Sequence, residues 1–357
     1  MAIDQKDDRP ILALTMGDAA GSGAEIITMS LGDRENTGRC RAIVVGDAGT
    51  MEEALEITGT PGSIRAIANP EEAKFQAGTI EVLDLRNIDL ANLNRGHVSE
   101  MTGQAAYEYI EKATQLALTG VVDGIVTSAI NKKSLNRAGH HYDGHTGLLS
   151  ALCGSPEVTM MLVAGKLRVS HVSTHLPLRD AIERIRKDRI LKTVELTHDG
   201  LGQLGITDPH IAVAGLNPHA GENGLFGDEE TRIIQPALED ARKSGYNVSG
   251  PYPGDTVFFR NLQGEFDGSI AMYHDQGHVA AKMLGIWMGV NVTLGLPIVR
   301  TSVEHGTNFP MAGKGTSDPR SMNAAIRLGA SMAQNIKSKI GPNHESANPA
   351  EIFDALR

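Results

Sequence analysis

Three histidines share one context in this chain. Each follows an apolar run and stands in a loop with Pro, Gly or an acid close by: Ser173-Thr174-His175-Leu176-Pro177, Asn217-Pro218-His219-Ala220-Gly221-Glu222 and Met272-Tyr273-His274-Asp275-Gln276-Gly277. His175, His219 and His274 are 44 and 55 residues apart. Loops leaving neighbouring strands of a parallel sheet converge in space whatever their separation in sequence. Three neutral imidazoles suit zinc, cobalt or another divalent ion that keeps an open coordination position. Asp275 or Glu222 would then orient a ligand or move a proton. The same residues also read as three ordinary hydrogen-bonded histidines, because no compact pattern such as HExxH joins them.

A second chemistry is anion binding. Lys282, before the block GVNVTLGLPIVRTS (289–302), and Asn291 and Arg300 within it would clamp a phosphate, with the guanidinium reaching two oxygens at once. Asn131-Lys132-Lys133 precedes the cluster His140-His141-Tyr142-Asp143-Gly144-His145-Thr146. His145 and Thr146 fall at the N-terminus of a helix predicted over 146–153, a position that favours phosphate or carboxylate. A solvated loop with His145 as its cap is the other reading. Two Gly-rich loops complete the set. Thr15 to Gly23 lies between a strand and a helix, and is either an anion cradle or a plain tight turn. Its Gly21-x-Gly23 fails the GxGxxG dinucleotide fingerprint, since the third small residue falls at Ile26. The stretch Glu304-His305-Gly306-Thr307-Asn308, then Ala312-Gly313-Lys314-Gly315 and Asp318-Pro319, would contact a nucleotide, or is a surface loop ended by a helix cap at Asp318.

The elements that must position these residues alternate. Strands are predicted at 11–15, 41–46, 79–85, 121–130, 159–164, 167–174, 210–216, 269–274 and 290–295. Helices are predicted from about Ala24 to Leu31, after Gly49, and over 102–119, 187–204, 228–244 and 319–337. The tail beyond Gly341 reads as polar and then briefly helical. Alternation of this kind means an α/β protein with a largely parallel sheet.

Composition narrows the classes. The chain has 357 residues, 33 basic and 43 acidic side chains and a net charge of −10. Such a charge gives no positive field for nucleic acid, while a small anion needs only a local basic cluster. Two cysteines, Cys40 and Cys153, form no metal spacing or disulfide framework, as in a reducing compartment. No run approaches the ~18 apolar residues of a membrane span, and the start of the chain lacks a signal peptide's apolar core. The expectation is a cytoplasmic protein that meets neither membrane nor nucleic acid.

Seven motifs occur in order from residue 11 to about 330: MGDAAGSGAE, AINKKSL with GHTGLL, STHLPLRD, GLNPHAGENG, GPYPGDTVF, MYHDQG, and GVNVTLGLPIVRTSVEHGT with AGKG. In these the chain resembles the 4-hydroxythreonine-4-phosphate dehydrogenase family, the NAD-dependent enzymes of pyridoxine biosynthesis and their relatives. Ala19, Ser22 and Ala24 replace the family's more typical Pro, Ile and Pro. The resemblance implies a two-lobed fold like isocitrate and isopropylmalate dehydrogenases, with an active-site cleft. One lobe would comprise 1–128 plus 285–357 and the other 129–284. It implies NAD held without a Rossmann fingerprint by His305, Gly306, Thr307, Asn308, Gly313 and Asp318. It also implies one divalent ion (Zn, Mg or Co) on His175, His219 and His274, and a phosphorylated substrate on His145, Thr146, Lys282, Asn291 and Arg300. A homodimer would complete the site across its interface.

The stretches GHHYDGHT, AGENGLFGDEE, DTVFFR and MYHDQGHVAAKMLG resemble the branch acting on D-threonate or D-erythronate 4-phosphate. The expected reaction is oxidation of the 3-hydroxyl and loss of carbon dioxide to give dihydroxyacetone phosphate. With an amino group at carbon 2 the substrate becomes 4-phosphohydroxy-L-threonine and the product 3-amino-2-oxopropyl phosphate. Asp255, Asp275 and Lys132 are the candidate proton-transfer groups. Aromatic cis-dihydrodiol oxidation is a third possibility within the family. A metal-dependent phosphate-ester hydrolase and a sugar-phosphate sensor are readings outside it.

Overall fold

Short apolar runs become buried strands, and the amphipathic segments between them become covering helices. The computed structural model describes residues 7–285, 287 and 289–340. The predicted short helix of the tail lies outside the described residues. In chain order the strands are β1 (Ile11–Thr15), β2 (Arg41–Gly46), β3 (Ser63–Ile67), β4 (Thr79–Asp84), β5 (Gly124–Thr127), β6 (Thr159–Ala164), β7 (Leu167–His171), β8 (Ile211–Ala214), β9 (Val248–Tyr252), β10 (Gly268–Ala271), β11 (Val290–Leu294) and β12 (Arg300–Val303). The chain divides into two units, one from the segments up to Cys153 and from Pro297 onward, the other Gly154–Leu296.

The first unit carries the order β3-β4-β2-β1-β5-β12, and every pair is parallel. Leu12, in the middle of the sheet, lies opposite Ala42 on one side and Gly124 on the other. Parallel strands are covered on both faces and therefore read as continuous apolar runs; all four residues of β5 are buried. The helix Glu100–Leu118 buries Ala105, Tyr109, Ala113, Leu116 and Ala117, the face its spacing predicts. Gly103 on that helix touches the helix Lys132–Arg137 so closely that a Cβ would stand 2.0 Å from the Ser134 carbonyl oxygen.

The second unit carries the order β11-β6-β7-β10-β8-β9. Its sheet is mixed: β6 runs antiparallel to β11 and to β7, while β10 is parallel to β7 and β8, and β8 to β9. Leu162, Val169, Ala212, Ala214, Val257, Phe258, Phe266 and Ala271 form its core.

Three predicted elements change. The strand 121–130 shrinks to β5, because Asn131 turns the chain by accepting the N–H groups of Lys133 and Ser134 at a helix start. The strand 269–274 ends at Ala271, and His274 opens the helix His274–Met283. The helix 228–244 begins as a π-helical turn, Glu230–Ile234, before the regular helix Gln235–Lys243. Strands β3, β9 and β12 had no clear apolar signal; β12 is Arg-Thr-Ser-Val and entirely buried.

Candidate active site

Strands β7, β10 and β8 are side by side and parallel, and each carboxyl end runs into one of the three histidines. Catalytic groups of parallel sheets collect at such ends. The rings of His175 and His274 lie 5.5 Å apart, centroid to centroid. A cavity of about 230 Å³ is lined by Ser173, Thr174, His175, Tyr273, His274 and Asp275 among others. His219 faces Phe226, 6.1 Å between rings. Among the described residues no three His, Cys, Asp or Glu groups close around a common point for a metal. The donor set fits a divalent ion by chemistry and by strand placement; two of the three imidazoles are adjacent here. Asp275 accepts from His274 Nδ1 at 2.6 Å, which holds its carboxyl below the usual range. That contact fixes the tautomer and turns Nε2 into the ring's remaining donor atom.

The backbone around these histidines is strained. His175 has φ of 49°, in the left-handed region. His219, Ala220, Gly221, Glu222 and Asn223 form a run with φ of 53°, 52°, 81°, 42° and 56°. Each non-glycine residue there costs about 1–2 kcal/mol, so neighbouring contacts must hold the turn. They come from Glu230, only 1% exposed. Its Oε1 accepts the N–H of Leu216 at 2.7 Å and of Asn217 at 2.8 Å, and its Oε2 accepts from Asn217 Nδ2 at 3.0 Å. Gln276 joins two strand ends: its Oε1 accepts the Met272 N–H, just past β10, and its Nε2 donates to Gly215 O, just past β8, both at 2.7 Å. Behind His274 the ring of His278 stacks at 3.6 Å, and His278 Nδ1 lies 3.2 Å from Nε2 of the buried His171. Burial pushes His171 down to about 3.

In the first unit, Arg300 at the start of β12 is 1% exposed, and its Nη2 donates to Thr127 Oγ1 at the end of β5 at 2.7 Å. Burial pushes its pKa down to about 9. His145, the first residue of the helix His145–Cys153, is lowered well below its ordinary value by burial and then by the charge of Arg300. The residue as a whole is partly exposed, yet its Nε2 is buried with no hydrogen-bond partner among the described residues. Thr146 is the next residue of the same turn. Gly144, before it, has the Lys132 side chain alongside: Nζ lies 4.0 Å from where a Cβ would stand. A buried guanidinium beside a buried imidazole at a helix N-terminus is a place for an anion. Asn291, on β11 in the second unit, likewise has its Oδ1 buried without a partner among the described residues. Lys282 is exposed on the helix His274–Met283, and Asp255 is exposed in the turn before the helix Val257–Leu262.

The two Gly-rich loops of the first unit are tied together. The Ser22 N–H donates to Thr307 O at 3.0 Å, and a Cβ on Gly21 would stand 2.6 Å from that oxygen. Glu25, 3% exposed, accepts the N–H of Gly313 at 2.6 Å and of Gly315 at 2.7 Å. Asn308 is left-handed at φ 52°, and its Nδ2 lies 3.4 Å from Ser317 Oγ. His305 Nδ1 lies 2.8 Å from Gly306 O, while Nε2 is buried without a partner among the described residues. Orphaned ring nitrogen and pinned glycines fit a bound nucleotide. Asp318 acts as the cap expected of it: Oδ1 accepts the Arg320 N–H at 2.9 Å, and Arg320 holds its carboxyl low. Glu25, Thr127, Glu230 and Gln276 are the site residues that sequence reasoning missed.

A model of the pyridoxal phosphate biosynthetic protein PdxA family matches residues 38–329. The chain is 49% identical over 329 residues to D-threonate 4-phosphate dehydrogenase of Cupriavidus necator, covering 92% of this chain and 98% of the relative. It is 43% identical over 328 residues to 4-hydroxythreonine-4-phosphate dehydrogenase of Desulforapulum autotrophicum, covering 92% and 96%. A crystal structure of 4-hydroxythreonine-4-phosphate dehydrogenase from Burkholderia phymatum superposes with a TM-score of 0.82 at 48% identity, over 91% of this chain and 98% of the other. With the α/β architecture, the ordered motifs and this similarity running along nearly the whole sequence, the chain belongs to the PdxA family of dehydrogenases.

Proposed function

We propose that the protein is an NAD-dependent, divalent-metal-dependent dehydrogenase that oxidises the 3-hydroxyl of a 4-phosphorylated four-carbon acid and releases its carboxylate as carbon dioxide. D-Threonate or D-erythronate 4-phosphate is the favoured substrate, and dihydroxyacetone phosphate the product. The observation that carries the reading is Arg300, a guanidinium 1% exposed whose pKa burial pushes down to about 9. Its charge is costly to bury, and a dianionic phosphate next to it and to His145 would offset that cost.

His145, Thr146 and Arg300 would hold the phosphate and place carbon 3, and Lys282 and Asn291 are the other substrate-binding candidates. His175, His219 and His274 would hold the ion, with Asp275 orienting His274 through Nδ1. Bound there, the ion would lower the pKa of the 3-hydroxyl and polarise the ketone formed from it, and the nicotinamide would take up the electrons. Gly306, Thr307, Asn308 and Gly313, with His305 and Asp318, would seat the nucleotide. Asp275 is engaged as an orienting group, which leaves Lys132 and Asp255 as the proton-transfer candidates. The remote phosphate contacts supply binding energy for positioning rather than for the bond broken.

The protein is expected to work in the cytoplasm as a homodimer that completes its site across the interface. Exposed Leu178, Ile182, Val279 and Met283 in the second unit supply apolar surface for such contact. The similarity to the Desulforapulum enzyme favours a second reading, 4-phosphohydroxy-L-threonine oxidised to 3-amino-2-oxopropyl phosphate. Dihydrodiols of aromatic acids lack a phosphate and would leave Arg300 without its anion.

The deciding experiment follows NADH absorbance with the metal-loaded protein on D-threonate 4-phosphate, D-erythronate 4-phosphate and 4-phosphohydroxy-L-threonine. A preference of tenfold or more in kcat/KM for the sugar acids supports the first reading. The reverse preference replaces it with the second, and no NADH from any of them overturns both.

A further inference from the structure

We infer that Glu230 is the positioning residue for His219: its buried carboxylate clamps the left-handed turn that carries the imidazole. The inference rests on the reading of His219 as a site residue. Five consecutive residues from His219 to Asn223 hold positive φ, and only Gly221 takes that conformation freely. A segment of L-residues in this state relaxes unless its flanks are fixed. In the flank before the turn, Glu230 accepts the Leu216 and Asn217 N–H groups and the Asn217 side chain. Glu229 reinforces it, taking a hydrogen bond from Asn217 Nδ2 at 2.7 Å. The turn itself packs on the same carboxylate: a Cβ on Gly221 would stand 2.7 Å from Glu230 Oε2.

The clamp is built from the second element of the same connection. Glu230 opens the π-helical turn Glu230–Ile234, and the wider turn sets its side chain back toward the end of β8. Such π turns are frequent at functional sites. An uncharged amide in this position keeps one acceptor for the backbone but presents N–H, not oxygen, to Asn217 Nδ2. Glu230 touches no reacting atom; it acts through the loop.

Three readouts test this in the full-length protein. Amide exchange of residues 214–223 reports the clamp, the [13Cε1]-histidine resonance of His219 reports the ring, and cobalt(II) titration by visible absorbance reports the donor set. In Glu230→Gln and Glu230→Ala, exchange is expected to rise tenfold or more, the His219 resonance to shift or broaden, and cobalt affinity to fall about tenfold. Adding Ala220→Gly, which removes a side chain from a left-handed residue, is expected to restore part of each loss in Glu230→Gln. A merely structural role predicts no such rescue. Unchanged exchange and resonance in a folded Glu230→Gln protein overturn the inference, as does faster exchange with an unmoved His219 resonance. Absence of cobalt binding by the unaltered protein sinks the metal reading of His219, while exchange and resonance still decide the role of Glu230. Should Glu230→Ala fail to fold, Asn217→Ala, which spares both backbone contacts, is expected to give a smaller change in the same direction; no change in it counts against the clamp.

Discussion

Glu25 and Gly313 meet across 288 residues of sequence, the Gly313 N–H donating to Glu25 Oε1 at 2.6 Å. The other oxygen takes the Gly315 N–H, so one buried carboxylate fixes both glycines of the loop. Gly313 and Gly315 have φ of 78° and 63°, conformations that glycine adopts freely.

Removing this carboxylate is expected to act on the nucleotide loop first. Glu25→Ala should raise the KM for NAD by about tenfold and lower stability by about 1–3 kcal/mol, the cost of two partly solvated N–H groups losing a charged acceptor. Steady-state kinetics with each substrate varied in turn measures this. A rise confined to the phosphorylated substrate's KM would assign the loop elsewhere.

Anion binding at Arg300 should be visible without catalysis. Phosphate at about ten times its dissociation constant would stabilise the protein by about 1.4 kcal/mol, a rise of a few degrees in melting temperature. Calorimetry in phosphate against chloride at equal ionic strength reads the shift. Arg300→Met should abolish it, and Arg300→Lys should keep only part, because an ammonium cannot form the two parallel bonds of a guanidinium.

Three histidines held below their ordinary range set the acid limit. His171 falls to about 3 and His278 to about 4 from an ordinary 6.5, and His145 also lies well below its ordinary value, each chiefly through burial. The unfolded chain takes up these protons below pH 6.5 while the folded chain does not, so stability falls as pH drops from about 6.5 toward 3. Each group contributes up to about 1.4 kcal/mol per pH unit between pH 6.5 and its own folded value, and nothing above that window. Urea denaturation at pH 7 and pH 5 measures the slope, and His171→Asn should flatten it by one proton.

Helix contact in the first unit gives a paired prediction. Gly103→Ala puts a Cβ 2.0 Å from a backbone oxygen and should cost about 3 kcal/mol or more. Gly38→Ala, in the exposed helix Arg34–Arg39 with nothing within 4 Å, should instead stabilise by about 0.5–1 kcal/mol. Melting temperatures of both variants decide it; equal shifts would contradict the packing.

An assembly prediction concerns the exposed pair Val279 and Met283, one turn apart on a helix face. Replacing both by Asp should halve the mass seen by light scattering and remove activity together with it. An active monomer would dissociate assembly from the site.

The α/β class was legible because buried parallel strands such as β1 and β5 are apolar on both faces. The placement of His175, His219 and His274 just past strand ends was legible for the same reason: apolar runs mark where strands stop. Strand β12 was not, since Arg300, Thr301 and Ser302 are polar residues buried by tertiary contacts such as Arg300 to Thr127. Glu25 and Glu230 were also hidden. Each stands in the first turn of a helix, where acids are ordinary, and only folding shows that their oxygens point to distant backbone amides. The left-handed run that carries His219 was hidden as well, since residues such as Ala220 and Glu222 carry no signal for it.

The first unit is assembled from two stretches of chain, and this bears on how the protein is made. Strand β5 pairs with β1 on one side and with β12 on the other, and Thr127 and Arg300 are 173 residues apart. At about 5–20 residues per second on the ribosome, β12 leaves about 9–35 s after β5. For that interval the nascent first unit has an open strand edge, while the complete second unit is being synthesised. Unpaired edges of this kind recruit other chains. The newborn protein is therefore most vulnerable to aggregation before residue 300 emerges, and a chaperone that shields β5 during translation should raise its yield more than one that acts after release.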